Sequence, residues 1–173
     1  MHGANRETGQ RGRTTEDPVS SYILKLIPTD PRWQPGPLQM ERARDLAARL
    51  APAPPGRRDR EIEIATHEAI EFIDCGSNLE TITCPRCGTD IDITWWAEQL
   101  SERYDNGFDD LATITPCCLS ACGLDELDYT WPCGFALFEI RIWNPDRDLF
   151  TPDELGYLGE RLGHPIRQVM AHI

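Results

Sequence analysis

Hydrophobic positions along the chain fall into runs of definite period, and each period names an element. Val19–Ile27 (VSSYILKLI) is rich in strand-forming residues and stops at Pro28. Pro31, Pro35 and Pro37 predict a loop after it. From Leu38 to Leu50 the period is helical, with Ala43, Leu46, Ala47 and Leu50 on one face, and the Ala-Pro-Ala-Pro-Pro-Gly stretch at 51–56 ends the helix. Glu61–Ile73 alternates instead. Ile62, Ile64, Ile70 and Phe72 share one side, and Glu61, Glu63 and Glu71 the other, so one or two half-buried strands are predicted. Gly76-Ser77-Asn78 reads as a turn and Leu79–Cys84 as a returning strand, which predicts a hairpin.

Ile91–Tyr104 is helical again, with Trp96, Leu100 and Tyr104 four residues apart and Asn106-Gly107 closing it. Leu111–Thr115 predicts a short strand. Phe135–Trp143 (FALFEIRIW) is the plainest strand of the chain, with Phe138, Ile140 and Ile142 on one face. Thr151-Pro152-Asp153-Glu154 predicts a capped helix start, Leu155, Leu158 and Leu162 its buried stripe, and Gly163 with Pro165 its end. The tail Ile166–Ile173 fits a strand or a short helix. No internal repeat is visible. Interleaved strands and helices with an antiparallel hairpin predict an α+β fold: a mostly antiparallel sheet, three helices and an embedded zinc-ribbon knuckle.

The length of 173 residues suits one ordinary domain. Residues 1–17 hold almost no apolar side chains and predict a disordered tail, which leaves a single domain over 18–173. No run reaches the ~18 apolar residues of a membrane helix. The polar stretch Met1–Pro18 holds no signal-peptide core, so a cytoplasmic location is expected.

Charge narrows the function. The net charge is −12, from 17 basic and 29 acidic residues. It is unevenly spread: +4 over residues 1–60, −15 over 61–140, where Arg86 and Arg103 are the basic residues, and −1 over 141–173. The middle segment would repel a phosphate backbone, which excludes nucleic-acid binding through residues 61–140. The excess serves solubility, or it forms a surface for a basic protein partner.

The chemistry lies in seven cysteines: Cys75, Cys84, Cys87, Cys117, Cys118, Cys122 and Cys133. Cys84-Pro-Arg-Cys87-Gly88 is the spacing of a metal-binding knuckle, in which two thiolates turn toward one point and Gly permits the left-handed backbone. A redox Cys-x-x-Cys is disfavoured, because a strand precedes it and no helix starts directly after it. Thr115-Pro-Cys-Cys-Leu-Ser-Ala-Cys-Gly123 must supply two more ligands. Adjacent residues on an extended chain point opposite ways, so spacing favours Cys118 with Cys122. Four thiolates would leave no open position and make a structural Zn²⁺ site in a ribbon element over 79–123.

At these residues the chain resembles a family of uncharacterised actinobacterial proteins. Its pattern stands here as Asp74-Cys-Gly76, Cys84-Pro-Arg-Cys87-Gly88, Trp95-Trp96, Thr115-Pro-Cys-Cys118, Leu124–Tyr129, Trp131-Pro132, Gly134-Phe135 and Gln168-Val-Met-Ala-His172. The resemblance covers about residues 20–173. It implies a similar fold, a cytoplasmic location and a zinc site, and no activity. Two positions depart from the pattern: Leu119 stands where Gly follows the paired cysteines, and Cys122 has no counterpart. The resemblance thus implies Cys117 and Cys118 as ligands, against spacing. The candidate ligands remain Cys84 and Cys87 with two of Cys117, Cys118 and Cys122.

Other candidates are weaker. His67 and Glu68 are neighbours on a predicted strand and point to opposite faces. Asp125, Glu126 and Asp128 read as solvated loop carboxylates, and His164 as a helix-end residue. Trp95, Trp96, Trp131 and Trp143 are expected to fill the core. Cys133 has no basic neighbour in sequence to activate it. Phosphate loops, nucleophile elbows and HExxH motifs are absent from the sequence. The expectation is a cytoplasmic zinc-binding interaction or adaptor module with an acidic surface, favoured over an enzyme, a question the sequence leaves open. One variant is an immunity- or antitoxin-like inhibitor of a basic partner. The enzymatic alternative would use the ribbon as scaffold, with chemistry at His67, Asp125, Glu126 or His172.

Overall fold

The computed structural model describes residues 21–53, 55 and 61–173. The expected tail at 1–17 and Arg57, Arg58 and Arg60 of the linker lie outside the described residues. In chain order the elements are β1 (Tyr22–Pro28), α1 (Pro37–Leu50), β2 (Ile62–Ile73), β3 (Ile82–Thr83), α2 (Ile93–Tyr104), β4 (Ala112–Ile114), β5 (Ala121–Gly123), a 3-10 turn (Leu124–Glu126), β6 (Asp128–Tyr129), β7 (Gly134–Trp143), α3 (Pro152–Leu162) and β8 (Ile166–His172). The class is α+β, as expected, and the open choice for the tail resolves as a strand.

Four strands make the main sheet in the order β2-β7-β1-β8, every pairing antiparallel. Alternation decides its two faces. Leu24 and Leu26 of β1 and Phe138, Ile140 and Ile142 of β7 point one way and are fully buried against Ala43 and Ala47 of α1 and Leu158 and Leu162 of α3. On the other face, Ile27 and Val169 pack with Ile73, Cys75, Cys133 and Ala136. Both helices lie on one face because their small and branched stripes match the apolar parity of β1 and β7.

Local chemistry sets the helix ends. In α1 the Gln39 side chain accepts from the Gly36 N–H at 2.7 Å, and Pro37 sits in the first turn, where no N–H is missed. Asp92 caps α2 by accepting from Thr94 N at 2.7 Å and Trp95 N at 3.2 Å. Thr151 and Glu154 form the capping box expected for α3, and Gly163 ends that helix at φ 88°.

The hairpin expected between 61–73 and 79–84 does not form. β2 pairs with β7, from Ile62↔Ile142 to Ile73↔Gly134, and β3 pairs with β6. The alternation of β2 reported a half-buried strand correctly, but it carries no information about the partner. Residues 76–132 thus form a lobe inserted between two neighbouring strands of the sheet. The lobe has its own core, with Ile82, Ile91, Trp96, Phe108, Leu111, Leu124 and Leu127 buried against Ile70 and Phe135 at its base. Trp96 is in that core as expected, whereas Trp131 is 41% exposed. No helix among the described residues is long and apolar enough to cross a membrane.

Candidate metal centre

Two tight hairpins build the end of the lobe, and they are copies of one another in backbone terms. In the first, Cys84 N–H donates to Thr89 O at 3.0 Å and Gly88 N–H to Cys84 O at 2.9 Å. In the second, Thr115 N–H donates to Ser120 O at 3.0 Å and Leu119 N–H to Thr115 O at 3.0 Å. Gly88 and Leu119 both take the left-handed conformation, at φ 71° and 56°. The hydrogen bonds therefore align Cys84-Pro85-Arg86-Cys87-Gly88-Thr89 with Thr115-Pro116-Cys117-Cys118-Leu119-Ser120. This is an internal repeat that the sequence reading missed. Only the proline and the last cysteine are shared between the two segments, too few to register as similarity.

The alignment explains the unusual ligand spacing. Thr115 occupies the place of Cys84 and is fully buried. The thiol missing there is supplied from the place of Arg86, by Cys117. The chain turns sharply at 116–118, which removes the objection that adjacent cysteines must point apart. The Sγ atoms of Cys84, Cys87, Cys117 and Cys118 all lie within 4.8 Å of one another. Cys84 Sγ is 3.7 Å from Cys118 Sγ, and Cys87 Sγ is 3.4 Å from Cys117 Sγ. These four could hold a metal ion.

Cys122, favoured by spacing, is not among them. It lies on β5 opposite Thr113 and is buried in the lobe core at 7% exposure. In the repeat it matches Ile91, a core residue at 6% exposure. Its place is an apolar packing position two residues beyond the turn, where the side chain faces inward.

The four thiols are electrostatically unequal. Burial works to raise the Cys84 pKa, but the amide N–H groups of Arg86 and Cys87, with the Thr115 hydroxyl and the Cys117 thiol, together outweigh it, and the net shift is downward. Cys118 is lowered to about 6 by the hydroxyls of Ser120 and Thr115, each 3.3 Å from its sulfur. Cys117 is pushed up to about 12, by desolvation first and then by the Cys87 and Cys84 thiols beside it. Four thiolates at this spacing repel one another unless a cation sits between them. The donor set is soft, all sulfur, and suits zinc or iron rather than magnesium or calcium.

The remaining candidates stand apart and are engaged by the fold. His67 Nε2 lies 3.2 Å from Glu139 Oε1 on the neighbouring strand, and Glu139, 1% exposed, also pairs with Arg141. Glu126 accepts from Gly123 N–H at 2.7 Å and lies 3.8 Å from Arg86. Asp125 belongs to the same 3-10 turn. His172 stacks on Tyr22 with ring centroids 4.6 Å apart, and His164 stacks on Trp33 at 4.7 Å. Asp125 and Glu126 line one groove beside Asp110, and His67, His164 and His172 do not line it.

Comparison with known proteins finds no matching family model and no significant match among curated proteins or solved structures.

Proposed function

We propose that this is a zinc-binding protein whose Zn²⁺, held by Cys84, Cys87, Cys117 and Cys118, has a structural role in a ribbon-like lobe that serves as a protein-interaction module. The observation that carries the reading is the four-thiol cluster. A tetrahedron with Zn–S bonds of about 2.3 Å has sulfur–sulfur edges of about 3.8 Å. The contacts of 3.4 and 3.7 Å lie close to that value. Four protein ligands leave no position for water or substrate, which favours a structural metal over a catalytic one. Thiolate ligands must stay reduced to hold a metal, so the proposed site suits a reducing compartment such as the cytoplasm.

The interaction reading rests on the lobe's surface. Residues 76–132 hold eleven acidic and two basic side chains, a net −9, and Zn²⁺ with four thiolates adds −2 locally. Beside this negative field Ile114, Leu119 and Trp131 are exposed at 55%, 78% and 41%. Exposed apolar side chains on an acidic surface suit a basic partner.

Elemental analysis of protein purified under reducing conditions tests the metal. One zinc per chain is expected; iron, or no metal in folded protein, refutes the structural-zinc reading. The partner reading is tested by salt titration of whatever basic protein the immobilised, zinc-loaded chain retains. Binding should weaken steeply between about 50 and 500 mM salt as screening shortens the Debye length. Salt-independent retention, or none, counts against it.

A further inference from the structure

Outside the metal cluster, two further cysteines have been brought together from positions 58 apart in the chain. Cys75 follows β2 and Cys133 precedes β7, immediately beyond the Ile73↔Gly134 pair that ends the β2–β7 ladder. Their Sγ atoms are 3.1 Å apart, and each residue is 1% exposed. They stand at the neck of the lobe, so every residue from 76 to 132, including all four candidate metal ligands, lies between them in sequence.

The backbone is specialised on both sides of this contact. Gly76 takes φ 64°, its N–H donates to Asp74 Oδ1 at 2.7 Å, and a Cβ there would lie 2.2 Å from the His172 carbonyl oxygen. No residue but glycine can follow Cys75 in this path. Across the neck, Trp131 takes φ 64°, a left-handed conformation that costs a bulky residue roughly 1 kcal/mol or more. Its carbonyl lies 3.7 Å from Cys133 Sγ. Two uncommon backbone conformations therefore flank the positions that bring the sulfurs together.

We propose that Cys75 and Cys133 are a redox pair that closes into a reversible disulfide and staples the neck of the lobe. A peroxide is the oxidant, because only a small molecule can reach sulfurs so deeply placed. One thiol, deprotonated as the neck opens, attacks hydrogen peroxide. The S–O bond forms, the O–O bond breaks, and the departing hydroxide takes a proton to leave as water. The second thiol then attacks the sulfenic sulfur. The S–S bond forms, the S–O bond breaks, and a second water leaves. Two thiols lose two electrons and two protons, and the peroxide is reduced to two waters. The apolar walls, Ile27, Ile73, Ala136 and Val169, disfavour a thiolate, and burial with the Cys75 thiol pushes the Cys133 pKa up. The step is therefore gated by opening of the neck rather than by a standing thiolate.

The experiment uses the full, metal-loaded chain treated with stoichiometric hydrogen peroxide, alkylated, digested and mapped by mass spectrometry. A single dominant cross-link, Cys75 to Cys133, is expected, and it should disappear on reduction. The oxidised protein should unfold at higher urea than the reduced one, and Cys75→Ala and Cys133→Ala should abolish that difference. Recovery of Cys75 and Cys133 as alkylated thiols after unfolding, with the oxidation found at Cys84, Cys87, Cys117 or Cys118, overturns the proposal. So does a cross-link that leaves the urea midpoint unchanged. The cross-link is read on the wild-type chain, so variants that fold poorly do not blunt the test, and it is independent of which metal the lobe holds.

Discussion

Cys117 and Cys122 separate two ways of building the site, and exchanging each for serine decides between them. Cys117→Ser removes a sulfur that lies 3.4 Å from Cys87 Sγ inside the four-thiol cluster. Even residues that merely orient a metal's ligands are worth about 10–100-fold in metal affinity, so losing a thiolate ligand should cost more than about 100-fold. The consequence for folding is large, because structural zinc contributes on the order of 10 kcal/mol or more and a whole domain is stable by only about 5–15 kcal/mol. The sheet and helices keep their own core, with Leu24, Leu26, Phe138, Ile140 and Ile142 buried apart from the metal. Loss of order should therefore concentrate in residues 76–132. Cys122→Ser, in contrast, places a hydroxyl at a core position of 7% exposure. It should cost about 1–3 kcal/mol of stability and leave one metal per chain. The assay is metal content and chelator competition in reduced protein, with amide hydrogen exchange to locate the change. Metal loss in Cys122→Ser together with retention in Cys117→Ser would refute the assignment.

Leu119 occupies at φ 56° the place that Gly88 holds in the first turn. Leu119→Gly should therefore raise stability by about 0.5–1 kcal/mol in urea unfolding, and Gly88→Ala should lower it by a similar amount. Thr115 stands in the place of Cys84, so Thr115→Cys combined with Cys117→Ser should recover metal binding that Cys117→Ser alone loses; elemental analysis of the pair reads this directly. Glu154 is held at about 2, first by the Arg147 guanidinium at 2.6 Å and then by the Thr151 amide, against an ordinary 4.5. A carboxyl depressed in the folded state stabilises above its unfolded value, so this contribution is complete above about pH 4.5 and is lost as pH falls toward 2. Glu154→Gln should cost about 1–2 kcal/mol at neutral pH, allowing for its partial exposure, and should flatten the acid limb of the stability profile.

The hydrophobic pattern was sufficient for the elements with long, unambiguous periods. Phe135–Trp143 reads as a strand because alternate residues must face a core, and Thr151–Gly163 reads as a helix because its caps satisfy backbone groups locally. Cys84-Pro-Arg-Cys87-Gly88 was legible for the same reason: a knuckle is closed by hydrogen bonds within six residues, and its requirement for glycine is written in place. The α+β class held although its stated ground, an antiparallel hairpin of 61–73 with 79–84, did not; the antiparallel partner of β2 is β7.

Pairing was not legible, because a strand's alternation reports burial and not its neighbour. β2 joined β7, more than sixty positions away, and the expected hairpin gave way to an inserted lobe. The second half of the metal cluster depended on that lobe. Spacing favoured Cys122, and only the turn at 116–118 shows that Cys117 reaches the other thiols while Cys122 packs inward like Ile91. Cys75 and Cys133 carried no sign of being partners until the ends of β2 and β7 met. What the chain determined locally are the groups that satisfy themselves within a few residues: caps, turns and periodic faces. What the tertiary structure decided are the contacts whose partners lie far apart in sequence, because closing a long loop is compensated only by the core that forms when the whole chain folds.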